Sequence, residues 1–157
     1  LLTTILHHLR EIDRRRLFST LGCRSLFDYA TTRLGYSEDQ AYRRIAAMRL
    51  LKEIPQLEEK INSGAMNLSH LGLAHSLFRR EKKFSQKEFT VAEKIQVLKQ
   101  LENKSSRAAE KIVYALSSYP NELDREKVRV MSDGLVEIKF AADSELQKKL
   151  EKTLKST

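Results

Sequence analysis

A chain of 157 residues with only five glycines and two prolines has few places to turn. Glycine supplies the positive φ of tight turns and proline punctuates helices, so their scarcity argues against a many-turned β architecture and for long helices. With 41% apolar and 32% charged residues, the chain has enough material to bury a continuous core as one domain or two small ones, and it reads as globular rather than disordered.

The apolar spacing divides the chain into segments. Leu2, Ile5, Leu6, Leu9 and Ile12 predict a helix over 2–19, with Arg14, Arg15 and Arg16 near the end where cations suit the helix dipole. Gly22 breaks it. Ser25 with Asp28 caps a helix over 26–34, which Gly35 ends. Ser37 and Gln40 form a capping-box pattern, reinforced by Glu38 and Asp39, for a helix reaching about Ile54. Pro55 starts a short helix that closes at Ser63 and Gly64. Further helices are predicted over 68–82, over 91–101 behind a Thr90/Glu93 box, and over 106–118 before Pro120.

After Pro120 the pattern changes. "KVRVMSDGLVEIKF" alternates, and a three-residue loop from Ser132 to Gly134 would pair Val130 with Val136 and Val128 with Ile138, with Gly134 in a left-handed bulge. Leu146, Leu150 and Leu154 mark a final helix. The expected fold class is mainly α: a helical bundle containing a helix-turn-helix over 26–54, followed by a C-terminal β-hairpin and helix. The expected divisions are a helical domain over 1–84, a helical hairpin over 85–120, and a hairpin plus helix over 121–157 that continues into a further C-terminal module.

A formal net charge of +8 and a pI near 9.6 point to a polyanionic partner. The cations before residue 50 are all arginine, whose planar fork suits phosphate and guanine, while lysine dominates later. The turn Gly35-Tyr36-Ser37 between two helices is a helix-turn-helix pattern whose second helix can enter a major groove. On a helical wheel Ala41, Ala47, Met48 and Leu51 gather on one side, flanked by Ile45. Asp39, Tyr42, Arg43, Ala46 and Arg49 turn the other way. The expected DNA-binding residues are therefore Arg43 for a base edge or phosphate, Arg49 and Arg33 for the backbone, and Tyr36 and Ser37 near the helix start. Tyr42 shares their face, Gln40 divides its role with the cap, and Arg44 has an internal ion pair as its rival use.

Other chemistries find little in the chain. His7 and His8 point to different faces, His70 and His75 do not stack as metal-binding pairs do, and no P-loop, Gly-rich nucleotide loop or HExxH run is present. The single Cys23 rules out an internal disulfide and fits a reducing cytoplasm. No stretch approaches a bilayer span and no secretory signal is recognisable. No catalytic residue, metal, cofactor, small-molecule substrate or membrane is expected. The expected partner is double-stranded DNA, bound alone or as a homodimer. Two alternatives stand beside this: a helical protein-interaction or scaffolding domain with a merely solvated basic face, and ribbon-helix-helix-like dimerisation through "VEIKFAADSELQKKLEKTLK".

Residues 8–55, "HLREIDRRRLFSTLGCRSLFDYATTRLGYSEDQAYRRIAAMRLLKEIP", together with "EKIQVLKQLENKSSRAAEKIV" and "REKVRVMSDGLVEIKFAADSELQKKLEKTLKS", resemble the region ahead of the catalytic module in bacterial HNH endonuclease-like proteins. "GYSEDQAYRRIAAMRLL" followed by "LEEKINSGAMNLSHLGLA" is similar to the helix-turn-helix of chromosome-partitioning DNA-binding proteins. The second likeness implies Ser37 to Arg44 as the start of a recognition helix, with Ser69 and His70 on a supporting helix whose start touches phosphate. The histidines and asparagine of an HNH element and its zinc-binding cysteine pairs are not present in this chain. The first likeness therefore implies a targeting region of an HNH endonuclease-like parent, or of a relative without the nuclease.

Overall fold

The computed structural model describes residues 1–119, 127–130, 135–139 and 142–156. They fall into two compact units, 1–118 and 119–157. The first unit contains α1 (Leu2–Arg15), α2 (Leu17–Thr20), α3 (Leu26–Thr32), α4 (Glu38–Glu53), α5 (Leu57–Asn62), α6 (Leu68–Ser85), α7 (Val91–Leu101) and α8 (Ser106–Leu116).

Local chemistry sets most of these boundaries. The Ser25 hydroxyl accepts from the Asp28 N–H at 3.0 Å to start α3. Ser37 and Gln40 close a reciprocal capping box on α4, at 3.2 and 3.1 Å. Thr90 and Glu93 do the same for α7. Asn67 and His70 form a third box, on α6, with the imidazole replacing the usual carboxamide or carboxylate. Gly35 takes φ +71° in the turn between α3 and α4, a conformation that costs a residue with a Cβ roughly 1–2 kcal/mol. The arginine run cuts the first helix earlier than periodicity suggests: Arg16 adopts φ 54° and separates α1 from α2.

The bundle is organised around α4. It packs on α1 and α3 on one side and on α6 on the other, α7 and α8 pack on α6 and on each other, and α5 lies against α1. Ala41, Ile45, Ala46, Ala47, Met48, Leu50 and Leu51 are all buried, which places apolar contacts around most of the circumference of α4. The core continues through Leu6, Leu9, Leu71, Leu77, Leu98, Leu101 and Val113. Each such side chain contributes roughly 1.5–3 kcal/mol on burial.

Buried polar groups tie distant elements together. Thr3 on α1 donates to Asn62 of α5 at 3.0 Å. The His70 Nδ1 accepts from the Asn67 N–H, which leaves Nε2 to donate to the Lys104 carbonyl at 2.9 Å and join the start of α6 to the turn before α8. Glu81, 1% exposed, accepts from the backbone and hydroxyl of Ser118 at 2.7 and 2.8 Å. These bonds hold the segment 85–118 against α6 within the unit that also contains 1–84.

In the second unit, β1 (Lys127–Val130) pairs antiparallel with β2 (Val136–Lys139), placing Val128 opposite Ile138 and Val130 opposite Val136. The loop with Gly134 lies outside the described residues. α9 (Ser144–Lys155) begins where Asp143 accepts from the Leu146 N–H at 2.8 Å. The expected fold class, a bundle carried on into a C-terminal β-hairpin and helix, is corrected here: the bundle is all helical. Its described core residues all come from α1 and α3–α8 and the turns between them. The reason is physical. Two strands alone are marginal as a structural unit, and Ile138, the described side chain of β2, is 62% exposed.

Candidate functional site

Two members of the expected recognition face of α4, Tyr42 and Arg43, make contacts with α6, while Asp39 and Arg49 on the same face are exposed. Tyr42 is half-buried with its ring edge-on to His75 of α6, centroids 6.2 Å apart. Arg43 is held by Asp39 at 2.8 Å and donates to the Ser69 hydroxyl at 3.1 Å. A Cβ at Gly72 would lie only 3.3 Å from the Arg43 Cγ, so glycine on α6 makes room for that arginine. Ala46 is 1% exposed. Small residues, which suit a DNA groove, also let two helices approach closely, and here they serve the second purpose.

The other expected residues are dispersed. Arg33 donates to the Leu21 carbonyl at 3.0 Å. Arg44 lies 4.4 Å over the Tyr36 ring and donates to the Gln40 carbonyl, with no carboxylate partner among the described residues. Ser37 and Gln40 are engaged in their cap. His70, which the chromosome-partitioning likeness implies near phosphate, is 2% exposed and bonded internally. Of the three arginines expected on α4, Arg49 is the exposed one, and it lines a groove.

That groove, about 450 Å³, runs between the α1–α3 corner and the α4–α6 pair. Leu26, Ile45 and Ala46 are buried along it, and Phe18, Phe27 and Tyr42 add aromatic surface. Arg16, Arg24, Arg49 and Arg79 bring four guanidinium groups to it against one carboxylate, Asp13. All four are exposed, and among the described residues none of them forms an ion pair.

The contrast with the rest of the surface is informative. Arg14 and Arg15 are both engaged by Glu11, whose carboxyl is held down to about 2 chiefly by the Arg14 hydrogen bond, overcoming the opposing effect of desolvation. A neighbouring hollow of about 330 Å³ shares Arg49 and Arg79 with the groove, but its lysines are neutralised: Lys82 by Glu88 and Lys94 by Glu53.

His75 sits at the wall shared by both hollows. Burial is the main cause that lowers its pKa from 6.5 to about 4, and the charges of Arg49 and Arg79 push the same way. The ring is neutral at physiological pH, and its Nδ1 is buried without a hydrogen-bond partner among the described residues. Unlike His70, it is therefore not a satisfied interior histidine. The Arg49–His75–Arg79 grouping was hidden from periodicity because its members come from two helices. Its only local signal was the four-residue spacing of His75 and Arg79.

Among the described residues, no group of three or more His, Cys, Asp or Glu side chains is arranged to hold a metal ion. None of the described helices is long and apolar enough to cross a membrane. No family model, no curated protein and no solved structure matches the chain, so neither resemblance noted in the sequence gains support from these comparisons.

Proposed function

We propose that this chain is a helical protein-interaction domain that receives an acidic segment of a partner protein in the groove of Arg16, Arg24, Arg49 and Arg79. The observation that carries this reading is that Tyr42 and Arg43 of α4 contact α6 and Ala46 is buried, while arginines with no ion pair among the described residues converge nearby over an apolar floor. A groove of this kind suits recognition by apolar anchoring combined with charge-assisted hydrogen bonds. A core made of helices gives no support to ribbon-helix-helix dimerisation. The single free cysteine fits a reducing cytoplasmic setting.

The test is a pair of titrations at low and moderate salt, one with a labelled polyglutamate peptide and one with a labelled duplex. The peptide is expected to bind, and Arg49→Gln/Arg79→Gln to weaken it without loss of helicity. Salt-sensitive duplex binding that disappears in Arg43→Ala/Arg49→Ala, with helicity retained and no peptide binding, would return α4 to the role of a DNA-recognition helix.

A further inference from the structure

We propose that the groove is a receptor for a phosphate monoester carried on a partner's side chain, so that the acidic segment it takes is a phosphorylated peptide. This inference rests on the interaction-domain reading and narrows it to one ligand chemistry.

Three features of the groove lead there. Charge comes first. Four guanidiniums against the single carboxylate of Asp13 leave an excess of three positive charges, and the neutral His75 adds none. One side-chain carboxylate offsets a third of that excess, whereas a phosphate monoester brings close to two negative charges and three acceptor oxygens. Arginine's fixed fork is suited to those oxygens.

Donor placement comes second. Arg49 and Arg79 approach from α4 and α6 on either side of the groove wall, and both are close enough to act electrostatically on the His75 ring between them. The His75 ring lines the same recess, and its Nδ1, closed to solvent, has no hydrogen-bond partner among the described residues.

Shape comes third. The groove is of side-chain size, and Phe18, Phe27 and Tyr42 line it along with the cations. A duplex presents its phosphates on a wide convex rod, which does not enter a recess of this volume. An aryl or alkyl ester does, and its organic part meets apolar surface. The adjoining hollow, with its lysines already paired to Glu53 and Glu88, lacks the same excess.

The experiment follows phenyl phosphate, inorganic phosphate and polyglutamate binding to the full chain by the imidazole proton resonances of its four histidines and by calorimetry. Phenyl phosphate is expected to bind saturably and shift the His75 resonances. It should also raise the His75 pKa, because a bound dianion opposes the charges that now face the ring: Arg49, Arg79 and Lys94, offset in part by Glu53. Losing charge-assisted bonds in Arg49→Gln/Arg79→Gln should weaken it by about tenfold or more. Arg107→Gln, which removes an exposed cation of α8 away from the groove, should leave it unchanged.

Absence of any His75 response to phenyl phosphate, or equal affinity in the double variant, overturns the inference. Inorganic phosphate binding as tightly as the aryl ester also overturns it, since the site would then take the free ion and not a modified side chain. If polyglutamate binds through Arg49 and Arg79 while phenyl phosphate does not, the phosphate inference fails and the interaction-domain reading stands. If both are inert, both fail.

Discussion

Replacing Glu81 tests how the bundle is held together. The carboxylate is 1% exposed on α6 and accepts from the Ser118 N–H at 2.7 Å and the Ser118 hydroxyl at 2.8 Å. The Ser85 hydroxyl, 3.0 Å away, divides its single proton between this carboxylate and the Glu81 carbonyl. Two hydrogen bonds to a charged acceptor are worth roughly 3–6 kcal/mol together, set against a desolvation cost of several kcal/mol for the buried ion. Glu81→Ala removes the acceptor, relieves that cost and strands the Ser118 donors, for a net loss of about 3 kcal/mol. Glu81→Gln keeps one acceptor oxygen but turns an amide toward donors, at about 1–2 kcal/mol.

The sign of the pH effect follows from the titration of Glu81. Burial on its own would raise the carboxyl pKa, but the bonds from Ser118 and Ser85 and the Lys87 charge outweigh it, so the folded value lies below 4.5. The stabilisation is therefore complete above the unfolded value and is lost as pH falls through the folded one. Urea denaturation of the full chain, followed by far-UV circular dichroism at neutral and acidic pH, measures both. Glu81→Gln should be the less stable protein at neutral pH and should lose less on acidification. Equal stability at neutral pH, or an unchanged acid sensitivity, would refute the view that this carboxylate anchors the end of α8 to α6.

Three further predictions probe the site and its supports. His75 is depressed from 6.5 to about 4, so the unfolded chain takes up its proton first; stability should fall as pH drops through that interval, and His75→Phe should remove this component of an acid-denaturation profile. Ala46→Leu should cost about 1–3 kcal/mol in urea denaturation through overpacking against neighbouring helices. A helix with that face free in solvent would tolerate it. Ser37→Ala should cost about 1 kcal/mol by opening the capping box on α4, with Glu38→Gln as a milder comparison that leaves the box intact.

The placement of α4 matters for function because the same residues could have served either reading. With Ala46 outward and Arg43 free, the helix could enter a DNA groove. With Ala46 buried and Arg43 bonded to Asp39 and Ser69, Arg49 is the exposed arginine of α4, at the edge of a recess. Positive charge in the N-terminal third points to an anionic partner without choosing one. The spatial selection among those arginines changed the partner that best fits.

What the sequence by itself determined is what a few neighbouring residues can decide. The caps at Ser25, Ser37 and Thr90 and the left-handed turn at Gly35 each depend on groups within about one helical turn, so they can be read along the chain. Tertiary structure decided which side of α4 meets solvent, because alanine and glycine serve equally at an exposed groove-facing surface and at a close helix contact. It also decided the bonds from His70 to Lys104 and from Glu81 to Ser118, made across 34 and 37 residues of chain. The groove belongs to the same class: Arg16, Arg24, Arg49 and Arg79 share no local pattern, and their charges combine only because the packing of α4 between two layers of helices brings their elements to one place.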